Sequence, residues 1–265
     1  MSIITILTDF GSIDPYVGIM KGVMLSANPH VQLVDITHEV GPQDVEEAAF
    51  LVAEYYRRFP KTTVHLCVVD PTVGSGRKPL VATKDGYLFV GPDNGLFSLI
   101  LAEGNARTYE IADRDPEDGG VSGTFHGRDI FAPAAARLSL GVAPHELGPE
   151  IPRTVMLDGL FPRIEGDLMV GKVVRFDRFG NAISNIAYDL FTDFTRGSRF
   201  TVKLGRLSFS ALSRSYYETP HTCLVGSAGY VEFGRFKGNL AQEQSIRKGE
   251  KVEVRRGLST AKSKG

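Results

Sequence analysis

In the first half of the chain, apolar positions switch between two spacings. Ile3–Thr8 is a run of mostly β-branched residues. Val17, Met20, Val23, Met24 and Ala27 then recur at helical spacing, with Pro15 in the first turn and Asp14 as the expected N-cap. Val31–Ile36 predicts a second strand, and Val45, Ala48, Ala49, Val52, Tyr55 and Tyr56 mark an amphipathic helix over Asp44–Arg58. Thr63–Val69 continues the series. Leu80–Thr83 and Tyr87–Val90 predict a hairpin around Lys84-Asp85-Gly86, followed by a short helix at Gly95–Leu101 and a strand at Ala106–Ile111. Arg128–Leu140 reads as a helix stopped by Gly141, despite Pro133. Such alternation predicts an α/β domain, a mainly parallel sheet with helices on both faces.

Beyond Leu157 the texture changes. Leu168–Phe176, Ala182–Ile186, Arg199–Lys203, Arg206–Phe209, His221–Val225, Gly229–Phe233 and Lys251–Arg255 are short runs separated by Gly, Ser, Asp and Asn, with no long helical pattern between them. They predict a small C-terminal all-β barrel domain. The expected organisation is therefore an α/β domain over 1–157, a linker over 158–167, a β-barrel over 168–256 and a flexible tail over 257–265.

Composition narrows the partners. Among 265 residues, 30 Lys+Arg face 31 Asp+Glu, a net charge of −1 that gives no general attraction to nucleic acid or an anionic membrane. A small-molecule partner is expected. The N-terminus reaches Asp9 without a basic region, unlike a signal peptide, and no apolar run approaches the roughly 20 residues of a spanning helix. Cys67 and Cys223 sit in apolar runs as buried thiols, which points to the cytoplasm.

The common catalytic signatures are missing. Asp9-Phe10-Gly11 copies a kinase tripeptide, but nothing before it forms a nucleotide lobe. Gly74-Ser75-Gly76-Arg77 lacks the Lys-Ser/Thr ending and the helix of a phosphate loop. What stands out are polar residues just past strand ends, where open parallel sheets place ligands. Asp9 and Asp14 follow the opening strand, and a carboxylate at Asp9 suits a pair of ribose hydroxyls or, as a turn residue, bonds nearby amides. Asp70 and Arg77 flank a glycine-rich turn that brings acid and guanidinium together, either on one ligand or as a plain ion pair. His126 lies between a strand-like segment and a helix start, as a site residue or a capping group. In the β half, Phe176-Asp177-Arg178-Phe179-Gly180-Asn181 offers a ring to stack on a purine and an amide to read its edge, or is simply a hairpin turn. Ser227 and Glu232 belong to a second turn running into a strand.

In this order, these segments resemble the S-adenosyl-L-methionine hydroxide adenosyltransferases, or adenosylmethionine hydrolases, relatives of fluorinase and chlorinase. The likeness rests on Thr8-Asp9-Phe10-Gly11, Val34-Asp35-Ile36-Thr37-His38-Glu39, Val69-Asp70-Pro71-x-Val73-Gly74, Gly91-Pro92-Asp93-Asn94-Gly95, Thr124-Phe125-His126-Gly127-Arg128-Asp129, Asp177-Arg178-Phe179-Gly180-Asn181 and Ser227-x-Gly229-Tyr230. It implies displacement at the ribose C5′ of S-adenosyl-L-methionine by water, giving adenosine and L-methionine without cofactor or metal. It also implies a homotrimer with active sites between neighbouring protomers. The family's Asp-Arg-His set falls on Asp70, Arg77 and His126. By the same resemblance Asp9 binds the ribose, Phe179 and Asn181 hold adenine, Asp14, Asp177 and Ser227 surround the methionine moiety, and Glu232 is a further contact. The halogenases carry a tyrosine where Asp70 stands, so the resemblance implies water rather than halide as nucleophile. Two other readings fit parts of the pattern. One is a metal-dependent phosphohydrolase using Asp9, Asp14, Asp70 and His126. The other is a non-catalytic protein that binds adenosine or S-adenosylmethionine.

Overall fold

The structure, a computed structural model, describes residues 2–112 and 120–257. The chain divides into two compact units, one up to Asp158 and one from Gly159 on. The first runs β1 (Ile3–Thr8), α1 (Tyr16–Ala27), β2 (Gln32–Thr37), α2 (Val45–Tyr55), β3 (Val64–Val68), β4 (Pro79–Lys84), β5 (Tyr87–Pro92), α3 (Ser98–Ala102), β6 (Ala106–Glu110), α4 (Ala132–Ser139) and α5 (Pro144–Leu147). Its sheet has the order β2-β1-β3-β5-β4-β6. β1 pairs in parallel with β2 and β3, and β3 with β5, whereas β4 is antiparallel to both β5 and β6.

Alternation along β3 explains why both faces are covered. Val64, Leu66 and Val68 join a core with Met20 and Met24 of α1 and Ala134, Ala135 and Leu138 of α4. Cys67, together with Leu7, Ala82 and Phe89, joins the opposite core with Ala48 and Val52 of α2 and Ile100 of α3. Asp44 caps α2 by accepting Glu47 N–H at 2.9 Å. His65 of β3 is fully buried among Tyr55, Tyr56, Tyr87 and Phe89, with Nδ1 2.8 Å from Thr5 Oγ1. Burial pushes its ring down to about 3, so it is neutral at physiological pH.

Two local readings change. Asp14 does not cap α1. Pro15 occupies the N-cap position at φ −75° without a side-chain cap, and Asp14 is exposed. The expected helix over Arg128–Leu140 begins instead as a π-type turn, Gly127–Phe131, before α4. Pro133 lacks the N–H that an α-register needs at this junction.

The second unit contains β7 (Arg163–Glu165), β8 (Leu168–Phe176), β9 (Ala182–Ala187), α6 (Tyr188–Thr195), β10 (Phe200–Leu204), β11 (Leu207–Phe209), β12 (His221–Val225), β13 (Tyr230–Arg235), α7 (Leu240–Gln244) and β14 (Lys251–Arg256). An antiparallel near-barrel sheet of order β11-β10-β14-β8-β9-β13-β12, with β7 added on β8, encloses one core built from Met169, Val173, Ile186, Val202, Phe233 and Val252. Residues 158–167, expected as a linker, thus include an edge strand, which pairs with β8 through a Gly166-Asp167 turn. The pattern also gave no sign of α6 and α7. Phe191 and Phe194 of α6 fall on one helical face and are buried. Of the expected tail, Gly257 N donates to Arg199 O at 2.7 Å, and residues 258–265 lie outside the described ones. Among the described residues, no helix is long and apolar enough to cross a membrane.

Candidate active site

The first unit brings Asp70, Arg77 and His126 into one hydrogen-bonded set. Asp70 stands two residues past the end of β3 and Arg77 two residues before β4, so the loop between them reverses the chain and returns both side chains to one place. Asn94 Nδ2 donates to Val69 O at 2.8 Å and fixes the start of that loop. Gly74 has φ +79°, and a Cβ there would overlap the carbonyl oxygen of Gly123, so only glycine lets the loop lie against the segment that leads to His126.

Arg77 donates to Asp70 Oδ2 from Nε at 2.9 Å and also from Nη2, and Nη2 donates to His126 Nδ1 at 2.7 Å. Its guanidinium carbon lies 5.0 Å from the centroid of the Phe131 ring. The Asp70 and Arg77 side chains are only 5% and 7% exposed, and His126 is buried. Two features follow from this geometry. Arginine has no acceptor, so His126 Nδ1 must be the acceptor of that bond and carries no proton. Asp70 Oδ2 is occupied by the arginine fork, whereas among the described residues Oδ1 takes only the Thr72 hydroxyl at 3.3 Å and keeps room for another donor. A small cavity of about 160 Å³ adjoins the set, lined by Arg77 and His126 together with Ser75, Lys78, Glu110 and Ile130.

Asp9 lies in the turn after β1. Its Oδ2 accepts Gln43 N–H at 2.8 Å, the one hydrogen bond of this carboxylate among the described residues. Asp14, later in the same connection between β1 and α1, is exposed.

In the second unit, Asp177 shapes its own turn. Oδ1 accepts the N–H of Phe179 and of Asn181, each at 2.9 Å, and Oδ2 accepts Asn181 Nδ2 at 2.8 Å. This holds Asn181 buried and leaves Phe179 75% exposed. Both line a cavity of about 500 Å³ with Tyr216, Arg235, Lys237 and Gly238. Ser227 is exposed in the turn between β12 and β13, which is closed by Gly226 N donating to Tyr230 O at 2.9 Å. Glu232 is buried on β13, with a carboxylate oxygen packed against Gly226, and accepts the Tyr216 hydroxyl. Burial first, and the Glu232 carboxylate second, push that phenol well above its usual range.

Tyr216 is the site residue that sequence reasoning missed. It sits in a polar stretch without periodicity, and the one available signal was the aromatic pair Tyr216-Tyr217. Thr72 and Phe131 were also unassigned, because their contacts with Asp70 and Arg77 exist only once the loop and the π-type turn have formed.

Comparison with known proteins agrees over nearly the whole chain. Residues 4–148 match the SAM hydroxide adenosyltransferase N-terminal domain, and residues 171–253 match the C-terminal domain of the same family. The (R)-S-adenosyl-L-methionine hydrolase of Thermus thermophilus is 36% identical, covering 94% of this chain and 97% of its own. The hydrolase of the same name from Methanocaldococcus jannaschii is 34% identical, covering 96% of each. A crystal structure of an uncharacterized conserved protein from Thermotoga maritima aligns with a TM-score of 0.87 at 35% identity, covering 96% of this chain and all of that one.

Proposed function

This chain belongs to the S-adenosyl-L-methionine hydroxide adenosyltransferase family, and from that premise we propose that it hydrolyses S-adenosyl-L-methionine to adenosine and L-methionine, with Asp70, Arg77 and His126 positioning the water. The buried, mutually bonded acid, guanidinium and imidazole are the observation that carries the proposal.

The chemistry defines what this set has to do. The substrate sulfur is already a cation, so the electrons of the breaking C5′–S bond leave methionine as a neutral thioether that needs no acid. The demand falls on the nucleophile. Water must lie in line behind C5′, at about 3 to 3.5 Å, and lose a proton as its oxygen bonds to carbon. Oδ1 of Asp70 is the acceptor with spare capacity. His126 Nδ1 is occupied by Arg77, and taking a proton there would break that bond. We assign the proton to Asp70, with Arg77 holding the carboxylate in place and offsetting the hydroxide character that develops during attack. Asp9 grips the ribose, Phe179 stacks on adenine, Asn181 reads its edge, and Asp14, Asp177, Ser227 and Glu232 serve the remaining contacts. The homologues' names point to the (R) epimer of the sulfonium as substrate.

The phosphohydrolase reading lacks a site. Among the described residues, no three His, Cys, Asp or Glu side chains gather in a group that could hold a metal ion. Cys67 and Cys223 are free, buried thiols, which supports a reducing cytoplasm. We also propose a homotrimer with active sites between neighbouring protomers, for which light scattering should give three chain masses.

Product identity tests the function. Incubation with S-adenosyl-L-methionine should yield adenosine and methionine in equal amounts, and added chloride or fluoride should leave the nucleoside product unchanged. A 5′-halogenated nucleoside would make the protein a halogenase, and substrate recovered intact would make it a binding protein.

A further inference from the structure

Next to Asp9 lies a hydrogen-bonded chain that the mechanism does not use. His38 follows β2, and its Nδ1 is 2.9 Å from the hydroxyl of Thr8, which is fully buried. The same hydroxyl accepts Phe10 N–H at 3.3 Å, so one oxygen ties together the residues on either side of Asp9. Gly11 N donates to the His38 carbonyl at 2.7 Å, and Val40 N reaches Thr8 O at 3.4 Å. On its other edge, His38 Nε2 lies 3.1 Å from Asp35 Oδ1, within ion-pair distance although outside hydrogen-bond angles. Asp35 Oδ2 in turn accepts Lys21 Nζ at 2.5 Å. Burial raises the Asp35 carboxyl, but the bond from Lys21 and the nearby His38 ring outweigh it and hold the group below its ordinary range, as an anion.

The donors and acceptors run in one direction. Phe10 N–H donates to Thr8 Oγ1, and the tautomer that turns an Nε2 proton toward the Asp35 carboxylate leaves Nδ1 to accept the Thr8 O–H. The turn from Thr8 to Gly11 is thus bound to residue 38 by both its side chain and its backbone. Asp9 is the one member whose carboxylate points elsewhere, with Oδ2 on Gln43 N. We infer that His38 is a positioning residue for substrate binding, locking the Thr8–Gly11 turn so that Asp9 is presented to the ribose hydroxyls in a fixed orientation. The inference rests on the reading of Asp9 as the ribose-binding carboxylate. Acting through the Thr8–Gly11 turn that carries Asp9, His38 should bear on KM and not on the chemical step.

Amide substitutions separate the two edges of the ring. Asparagine places a polar atom where Nδ1 stands and keeps the Thr8 link, whereas glutamine reaches toward Asp35 and loses it. His38→Ala and His38→Gln should raise KM for S-adenosyl-L-methionine roughly three- to tenfold with kcat within twofold, the size expected of one buried hydrogen bond. His38→Asn should restore most of the loss. Thr8→Val, which keeps the shape and removes the hydroxyl, should raise KM similarly, and combining it with His38→Ala should add little further. Thermal melts of each variant check folding. An unchanged KM in folded His38→Ala, or equal behaviour of the asparagine and glutamine variants, overturns the inference. Asp9→Ala is the control: if it leaves KM unchanged, the ribose reading itself fails, whereas a raised KM there with an unaffected His38→Ala rejects the role of His38 alone.

Discussion

Asp70→Asn should lower kcat by about 10²- to 10⁴-fold, the usual consequence of removing a positioned base. The substitution keeps size and planarity, so the loop from Pro71 to Lys78 has no steric reason to move. One amide oxygen can still accept from Arg77, but the other position becomes an NH₂ that donates, where Oδ1 of the native residue had capacity to take a proton. Binding energy from the ribose and adenine contacts does not depend on that oxygen, so KM should stay within a few-fold of the native value. Initial rates of adenosine formation measured by chromatography read both quantities. A kcat within threefold of wild type would remove Asp70 from the chemistry.

Removing Arg77 should damage the fold as well as the reaction. The Asp70–Arg77 pair is almost wholly buried, and its charges are tolerable there because the guanidinium supplies two bonds to one carboxylate oxygen while stacking on Phe131. Arg77→Met leaves Asp70 charged, buried and without its partner, which costs roughly 3–5 kcal/mol of stability in comparable pairs. It also unties His126 Nδ1, so turnover should collapse together with stability. Combining Arg77→Met with Asp70→Asn removes the stranded charge, and the double variant should be more stable than Arg77→Met alone. Urea unfolding of the four proteins gives the coupling. Strictly additive losses would mean that the two charges do not interact as the geometry requires.

Much of this architecture was legible because period and punctuation agreed. Ile3–Thr8 and His221–Val225 were bounded correctly, since each is a β-branched or apolar run ended by Asp or Gly-Ser. The α/β alternation implies two covered sheet faces, and both sets of positions along strands such as β3 are indeed buried. Failures came where one residue serves two rules. Pro15, expected in the first turn of α1, takes the N-cap position instead, and Pro133, expected within one continuous helix, follows a π-type turn where its missing N–H leaves no α-register bond to make. Tyr188–Thr195 falls between two expected strands and carries no assignment, because its eight residues are too few to show a helical period; burial of Phe191 and Phe194 on one face makes it a helix. At the site, Asp70, Arg77 and His126 were visible as motifs, but periodicity alone does not bring position 126 to position 77. That approach depends on Gly74 fitting beneath Gly123 and on the turn that starts at Gly127. Tyr216 and the His38–Thr8 link carry no such signal either, since each joins a loop residue to a strand residue distant in sequence, Tyr216 to Glu232 and His38 to Thr8.

One isotope experiment addresses the attack of water on C5′ without intermediaries. In a single turnover of S-adenosyl-L-methionine in ¹⁸O-enriched water, the adenosine formed should carry one solvent oxygen, located in its 5′-hydroxyl, and the methionine none. Adenosine without the label, or solvent oxygen recovered in the amino-acid product, would mean that the bond to C5′ is not made by water, and the assignment of Asp70, Arg77 and His126 would fall with it.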